Sequence, residues 1–298
     1  MSNGHNHTHP HDSAGNIRLA FFLNLLFTLL EIVGGLWTNS LAILADALHD
    51  LGDSFSLGLS WYLEKYAQRG VDSRYSYGYR RFSLLAALLN TAILLTGGVL
   101  VLSQAIPRLF NPQHSNAQGM VLFAVVGIAV NGLAALRLRR DNGLSSQVVA
   151  WHLLEDVLGW AAVLVVSVVM LFWDIHILDP LLSIGITLYV LWNVLRNLRR
   201  VLALFLQAVP ENFDVADIER QLLTMENVQS VHHTHLWSLD GQNHVLTTHI
   251  VVDECTSREQ ILQLKRAINS LTAELDFSHT TLEIEYEDED CRMKEMGP

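Results

Sequence analysis

One spacing of chemically able residues occurs twice in this chain. His49 and Asp53 are four residues apart, and so are His152 and Asp156. Four residues turn an α-helix through about 400°, so each imidazole and carboxylate share a helix face, one turn apart. Two such helices side by side present two nitrogens and two oxygens, a tetrahedral set that suits Zn2+. A divalent cation there also offsets the repulsion between carboxylates kept ionised in a low-dielectric site. A single His and Asp at this spacing would equally make an internal ion pair. The repetition on two separate segments is what favours a shared ligand set. Asp46, three residues before His49, is placed to support the ligands from behind. Asp50 points about 100° away from His49, towards another helix or water, and Glu155 is open to the same alternatives.

The elements that carry these residues are apolar. Half of the 298 residues are hydrophobic, only 16% are charged, and the mean hydropathy is +0.27. Soluble globular chains carry about 25% charged residues, so the composition argues against disorder, a fibrous repeat and an ordinary soluble enzyme. Crossing a bilayer takes about 20 apolar residues. Six stretches qualify as spans: 17–36, 41–63, 82–106, 117–136, 147–172 and 177–198. The second and fifth, which hold the two His/Asp pairs, are the least apolar, and a hydropathy scan alone could miss one of them. Ionisable residues inside a span are costly and functional by default. Glu31 and Asn131, single polar residues in the first and fourth spans, serve either helix–helix hydrogen bonding or the ion path.

The connections orient the spans. One set of loops contains Arg108 as its single basic residue. The other holds Arg18, Lys65, Arg69, Arg74, Arg80, Arg81, Arg137, Arg139, Arg140, Arg196, Arg199 and Arg200. The positive-inside rule puts this second set, and with it both termini, in the cytoplasm. The expected location is the cell inner (plasma) membrane. The first span makes a poor signal peptide: it is long, lacks an A-x-A site and follows a His-rich rather than basic segment.

The acidity lies at the C-terminal end. From Gln207 onward, 18 acidic residues face 6 basic ones, whereas residues 1–206 hold 12 and 13. Segment 207–287 reads as a small α/β domain in the order helix, strand, strand, helix, strand. Asp214 is the expected N-cap of a helix over 215–225, and 228–239 and 244–252 are strands joined at Asp240-Gly241. Ser257 with Gln260 forms a capping box for a helix reaching about Leu275, and 280–286 alternates as a third strand. Residues 1–16 and 288–298 are expected to lie outside regular structure. Cys255 and Cys291 stand far apart and suggest no disulfide framework.

Histidines recur outside the spans. Strand alternation puts His233 and His235 on one face and His232 on the other. Pairing would bring His232, His249 and a third-strand residue together, or else leave a polar strand surface. His235, before Leu236-Trp237, reads as a packing residue. His244 and His279 lie at strand ends, and Cys291 alone is weak support for a ligand. His5, His7, His9 and His11 could collect metal loosely or be incidental.

The residues carry a resemblance. N-S-L-A-I-L-A-D-A-L-H-D-L-G-D (Asn39 to Asp53) resembles the second-span signature of the cation diffusion facilitator family. E-I-V-G-G (Glu31 to Gly35), W-H-L-L-E-D (Trp151 to Asp156) and V-H-H-T-H-L-W (Val231 to Trp237) are similar to further family segments. The resemblance implies a homodimeric metal/proton antiporter with a ferredoxin-like cytoplasmic domain; joined to the six-helix transmembrane bundle read above, the expected function is Zn2+/H+ antiport out of the cytoplasm. The resemblance also implies that His49, Asp53, His152 and Asp156 bind the transported Zn2+, a His at the first position going with zinc over cadmium. By position it implies a regulatory zinc site of His232, His249 and Glu285. Some members carry a further metal site between spans two and three. Here loop 68–79 has no His and a single carboxylate, Asp72, and no metal is expected there.

Two rival classes stand beside a transporter. An intramembrane metalloenzyme would keep an open metal position and a nearby base, yet the chain has no H-E-x-x-H, and Glu155 is the one base candidate. A metal-sensing receptor would need an output domain. The acidic tail has no such signature, and its charge disfavours nucleic acid.

Overall fold

The computed structural model describes residues 11–67, 70–139, 144–289 and 291. The alternating His5, His7 and His9, like the chain after Cys291, lie outside the described residues. Six long helices come first: α1 (His11–Thr38), α2 (Leu41–Ala67), α3 (Phe82–Phe110), α4 (Ala117–Leu138), α5 (Leu144–Trp173) and α6 (Leu178–Phe205). There follow α7 (Val215–Leu223), β1 (Val228–Ser238), β2 (His244–Val252), α8 (Arg258–Glu274) and β3 (Phe277–Tyr286). α1 begins at His11, so residues 11–16 are helical, contrary to expectation. The chain divides into two compact units, one of residues up to 65 with 86–198, the other of 66–85 with 199–298.

The first unit inverts the arrangement of a water-soluble protein. Val33 and Leu36 of α1, Val99 of α3, Leu133 of α4, Leu158 and Phe172 of α5 and Trp192 of α6 are exposed. Glu31, Asp46, Asp50, Asn131, Asp156 and Asp179 are buried. Helices satisfy their own backbone groups, so such a bundle is stable where its apolar outside meets lipid. Among the described residues, stretches of α3, α4, α5 and α6 are long and apolar enough to cross a membrane, and the apolar stretch of α1 described there is Asn24–Thr38. α5 qualifies despite its polar cluster. α2 does not, because Asp46, Asp50 and Asp53 interrupt it.

Close contacts fix the two helices that carry the His/Asp pairs. On α5, Trp160 lies one turn beyond Asp156, is fully buried, and seats against Gly127 of α4. A Cβ at Gly127 would stand 2.3 Å from the indole, so only glycine admits this ring. α2 is held at its start by Asp179 of α6. The Asp179 carboxylate accepts hydrogen bonds from Ser40 Oγ at 2.5 Å, Leu41 N at 2.9 Å and Ala42 N at 3.2 Å. It thus satisfies backbone N–H groups that a helix leaves unpaired at its start. Asn24 of α1 donates to the Asp50 carbonyl at 3.1 Å and to Ser54 Oγ at 3.0 Å. Asn131, expected to bond across helices or line the ion path, instead donates to the Gly127 carbonyl of its own helix at 3.2 Å.

The second unit has its own apolar core of Ile218, Leu222, Leu236, Leu246, Ile250, Val252, Leu264 and Ile268. Its sheet order is β1-β2-β3, with β1 antiparallel and β3 parallel to β2. A parallel pair needs a crossover, which α8 supplies. The expected caps are present: Asp214 Oδ1 accepts from Ala216 N at 2.9 Å, and Ser257 and Gln260 form the capping box. The loop between α2 and α3 belongs to this unit. Its Asp72 carboxylate accepts from Arg74 N, Tyr75 N and Tyr79 Oη, and the Tyr77 ring packs 5.2 Å from His279.

Candidate functional site

The two repeated pairs meet in the interior of the first unit. His49 and Asp53 project from α2, His152 and Asp156 from α5. His152 Nε2 lies 2.8 Å from Asp53 Oδ2, so the shortest contact joins the two helices. Within α2 the corresponding distance, His49 Nε2 to Asp53 Oδ2, is 3.7 Å. The His49 and His152 rings stand 5.8 Å apart, centre to centre. One ligand atom each of His49, His152 and Asp156 lies within 4.8 Å of the others. All four groups therefore surround one small volume, and His49 Nδ1 is buried without a hydrogen-bond partner.

The neighbouring carboxylates separate by role. Asp46 is buried and faces α5 at Gly159, whose hypothetical Cβ would lie 3.6 Å from Asp46 Oδ1. Asp50 is also buried, whereas Glu155 is exposed and accepts a hydrogen bond from Tyr189 of α6. The one base candidate for an enzyme is thus engaged away from the cluster. A cavity of about 180 Å3 reaches His49 between α2, α3 and α6, lined by Asn90, Thr91, Asn193 and Asn197 among others. These amides and the hydroxyl can replace part of a cation's hydration shell, and sequence reading had not marked them.

The second unit holds another cluster. His232 faces His249 across β1 and β2. His249 Nδ1 is 2.7 Å from Glu285 Oε1, and His232 Nε2 is 3.1 Å from Glu285 Oε2. The expected trio is brought together, and Cys291 joins it, with Sγ 3.7 Å from His249 Nδ1. Two imidazoles, a carboxylate and a thiol make four donors of the types that zinc takes, and one ligand atom of each lies within 4.8 Å of the rest. Glu283 approaches His249 Nε2 from outside at 3.4 Å. Burial pushes the Glu285 carboxyl up. Hydrogen bonds from Cys291 and His249, with the charge of the imidazoles, outweigh this and hold it below the usual glutamate value. It therefore stays ionised at neutral pH, as a metal ligand must.

One expectation for this sheet is corrected. His233 was placed on the face opposite His232, yet its ring lies 5.2 Å from His232 and 5.4 Å from His249. The β1–β2 register shifts between His232 and His235, and His233 takes a φ of +48°. A bulge of this kind breaks the two-residue alternation and returns the next side chain to the same side.

Residues 17–206 match the cation efflux transmembrane domain, and residues 210–287 match the cytoplasmic domain of cation efflux proteins. The chain belongs to the cation efflux, or cation diffusion facilitator, family. Over 288 residues the transporter is 32% identical to the metal cation efflux system protein CzcD of Cupriavidus metallidurans, covering 96% of this chain and 90% of that protein. It is 30% identical over 287 residues to the zinc transporter ZitB of Yersinia pseudotuberculosis, covering 94% and 91%. It is 29% identical over 286 residues to the cadmium, cobalt and zinc/H(+)-K(+) antiporter of Bacillus subtilis, covering 94% and 92%. A solved metal-bound C-terminal domain of the Cupriavidus CzcD transporter is 31% identical over 24% of this chain and 99% of that one, with a TM-score of 0.22. The protein is a multi-pass membrane transporter for metal cation efflux rather than an enzyme, and its C-terminal domain is of the dimerising type, which makes it a homodimer.

Proposed function

We propose that this transporter exports Zn2+ from the cytoplasm in exchange for protons, through a site made by His49, Asp53, His152 and Asp156. The observation that carries the reading is the 2.8 Å contact between Asp53 of α2 and His152 of α5, which makes two sequence repeats one N2O2 constellation. Two imidazoles select a borderline divalent ion over Mg2+ or Ca2+, which prefer all-oxygen sites. The Asn-lined cavity at His49 supports access for a hydrated ion: Asn197 adjoins Arg196, on the side of the basic loops. With those loops inside, the protein lies in the inner (plasma) membrane with both termini in the cytoplasm.

Exchange follows from competition for the same atoms. The cation requires neutral imidazole and ionised carboxylate, whereas a proton removes either. Zinc arriving from the cytoplasm displaces protons, and protons arriving from outside displace zinc. His232, His249, Glu285 and Cys291 hold a separate, regulatory zinc in the cytoplasmic domain, and residues 17–206 and 207–291 act as membrane and regulatory parts.

The test is proton release. A variant lacking the cytoplasmic cluster (His232→Ala with His249→Ala), in detergent and weak buffer at pH 7, is expected to acidify when zinc is added. Zinc affinity is expected to fall as the medium is acidified, because protons compete with the ion for the same nitrogens and oxygens. Zinc binding without proton release would exclude exchange at this site.

A further inference from the structure

At the end of the bundle away from the basic loops, the connections between α3 and α4 and between α5 and α6 bring a third group of metal-ligating side chains together. His114 Nδ1 lies 2.8 Å from His176 Nε2, and the same His176 nitrogen lies 2.9 Å from Asp174 Oδ1. The two imidazoles stand 4.3 Å apart at 65°, and one ligand atom of each residue lies within 4.8 Å of the other two. Neither the interior constellation nor the cytoplasmic cluster uses these residues.

The positions of the donors are built by the surrounding backbone. Asn39, in the turn between α1 and α2 with a φ of +54°, donates through its side chain to the His114 carbonyl at 3.1 Å. Arg108 holds Asn39 in turn, through its carbonyl and side-chain oxygen, each at 3.0 Å. Asn116 N donates to the Thr38 carbonyl at 2.8 Å. Across from this loop, Asp174 takes a φ of +53° while its N–H donates to the Met170 carbonyl of α5. Its carboxylate thereby faces His176 rather than continuing the helix. The single basic residue expected on this side, Arg108, is thus spent on loop structure and does not neutralise Asp174.

The hydrogen bonding itself leaves the cluster unfinished. His176 Nε2 is shared between an imidazole nitrogen and a carboxylate oxygen, although a neutral ring nitrogen carries at most one proton to donate. His176 Nδ1 is buried and has no hydrogen-bond partner. Three lone-pair donors thus converge where one proton would serve only part of them. Around a zinc ion at 2.0–2.1 Å, tetrahedral ligands stand about 3.3 Å apart, so the His114–His176 and His176–Asp174 pairs need to separate by only a few tenths of an ångström to admit one.

We propose that His114, Asp174 and His176 form a binding site for a borderline divalent cation such as Zn2+. Three protein ligands leave the fourth position to water, the arrangement of an exchangeable rather than a closed site. Bound metal would tie the α3–α4 connection to the α5–α6 connection. That this end faces the side of release rests on the orientation proposed above; the binding itself does not.

The experiment counts metal on the full-length protein in detergent. Wild type, His114→Ala, His176→Ala and Asp174→Asn are equilibrated with the same saturating free Zn2+, and bound zinc per protomer is measured. Each histidine variant is expected to bind one zinc fewer than wild type, with unchanged helical circular dichroism, and Asp174→Asn to need a higher free Zn2+ than wild type to hold the same ion. His114 is exposed, so its replacement reads the site even if His176→Ala perturbs the fold. Equal stoichiometry in wild type and His114→Ala would overturn the proposal and leave a hydrogen-bonded histidine pair. No gradient or flux enters the measurement, so its outcome is independent of whether zinc and protons exchange at the interior site.

Discussion

Replacing any one of His49, Asp53, His152 or Asp156 by alanine is expected to abolish zinc efflux while the protein still inserts and assembles. The site offers four donors to an ion that takes four, so none is spare. Losing a group that merely orients a ligand costs about 10–100-fold in metal affinity, and losing the ligand costs more. Alanine also removes an ionisable group from a membrane helix, which makes insertion easier, so a failure to transport cannot be ascribed to failed insertion. Glu155→Gln is the matching control: its carboxylate is engaged by Tyr189 at an exposed position, and glutamine still accepts that hydrogen bond. Zinc efflux measured in inverted vesicles should vanish in the four alanine variants and persist in the control. Near-normal flux in one of the four would remove that residue from the site.

The cytoplasmic cluster supports a prediction of similar size. Segment 207–298 has a core of its own and is expected to fold alone as a dimer. Zinc at 100 times its dissociation constant stabilises such a domain by about 2.7 kcal/mol. For a domain of this size that is a rise in Tm on the order of 10–20 °C. His249→Ala should remove most of the rise, since His249 touches Glu285, Cys291 and the rings of His232 and His233. A segment ending at Glu287 should bind zinc about tenfold or more weakly, because it lacks Cys291. Melting curves of the three segments at matched free zinc decide it. A Tm indifferent to zinc would reduce these histidines to a polar strand surface.

What could be read from the sequence was whatever obeys a local period. The His/Asp pairs needed only the helical repeat, and the caps at Asp214 and Ser257 needed only a first turn. β2 matched its expected ends because the turn at Asp240-Gly241 sets where the returning strand begins. Most of what stayed hidden has one physical cause, contacts made by residues that no short-range period links. His233 changed face through a bulge, which strand alternation does not anticipate. Cys291 reaches His249 from 42 residues away in the chain, beyond the last strand. Asp179 caps α2 across 138 residues, and His114 meets His176 across 62. Gly127 and Trp160 read as ordinary apolar-helix residues until their helices are packed. Such contacts decide how rigidly the site is held, and they follow only once the bundle is assembled.

The most direct measurement of the central claim is zinc flux into proteoliposomes under an imposed pH gradient. Zinc is supplied outside and the lumen is made more acidic than the medium, with luminal zinc and pH recorded together. The acid lumen is expected to accelerate zinc accumulation and luminal pH to rise as zinc enters, and Asp156→Ala is expected to show neither. Zinc entry at the same rate with and without the gradient, with no movement of protons, would contradict exchange and leave a passive pathway through the same four groups.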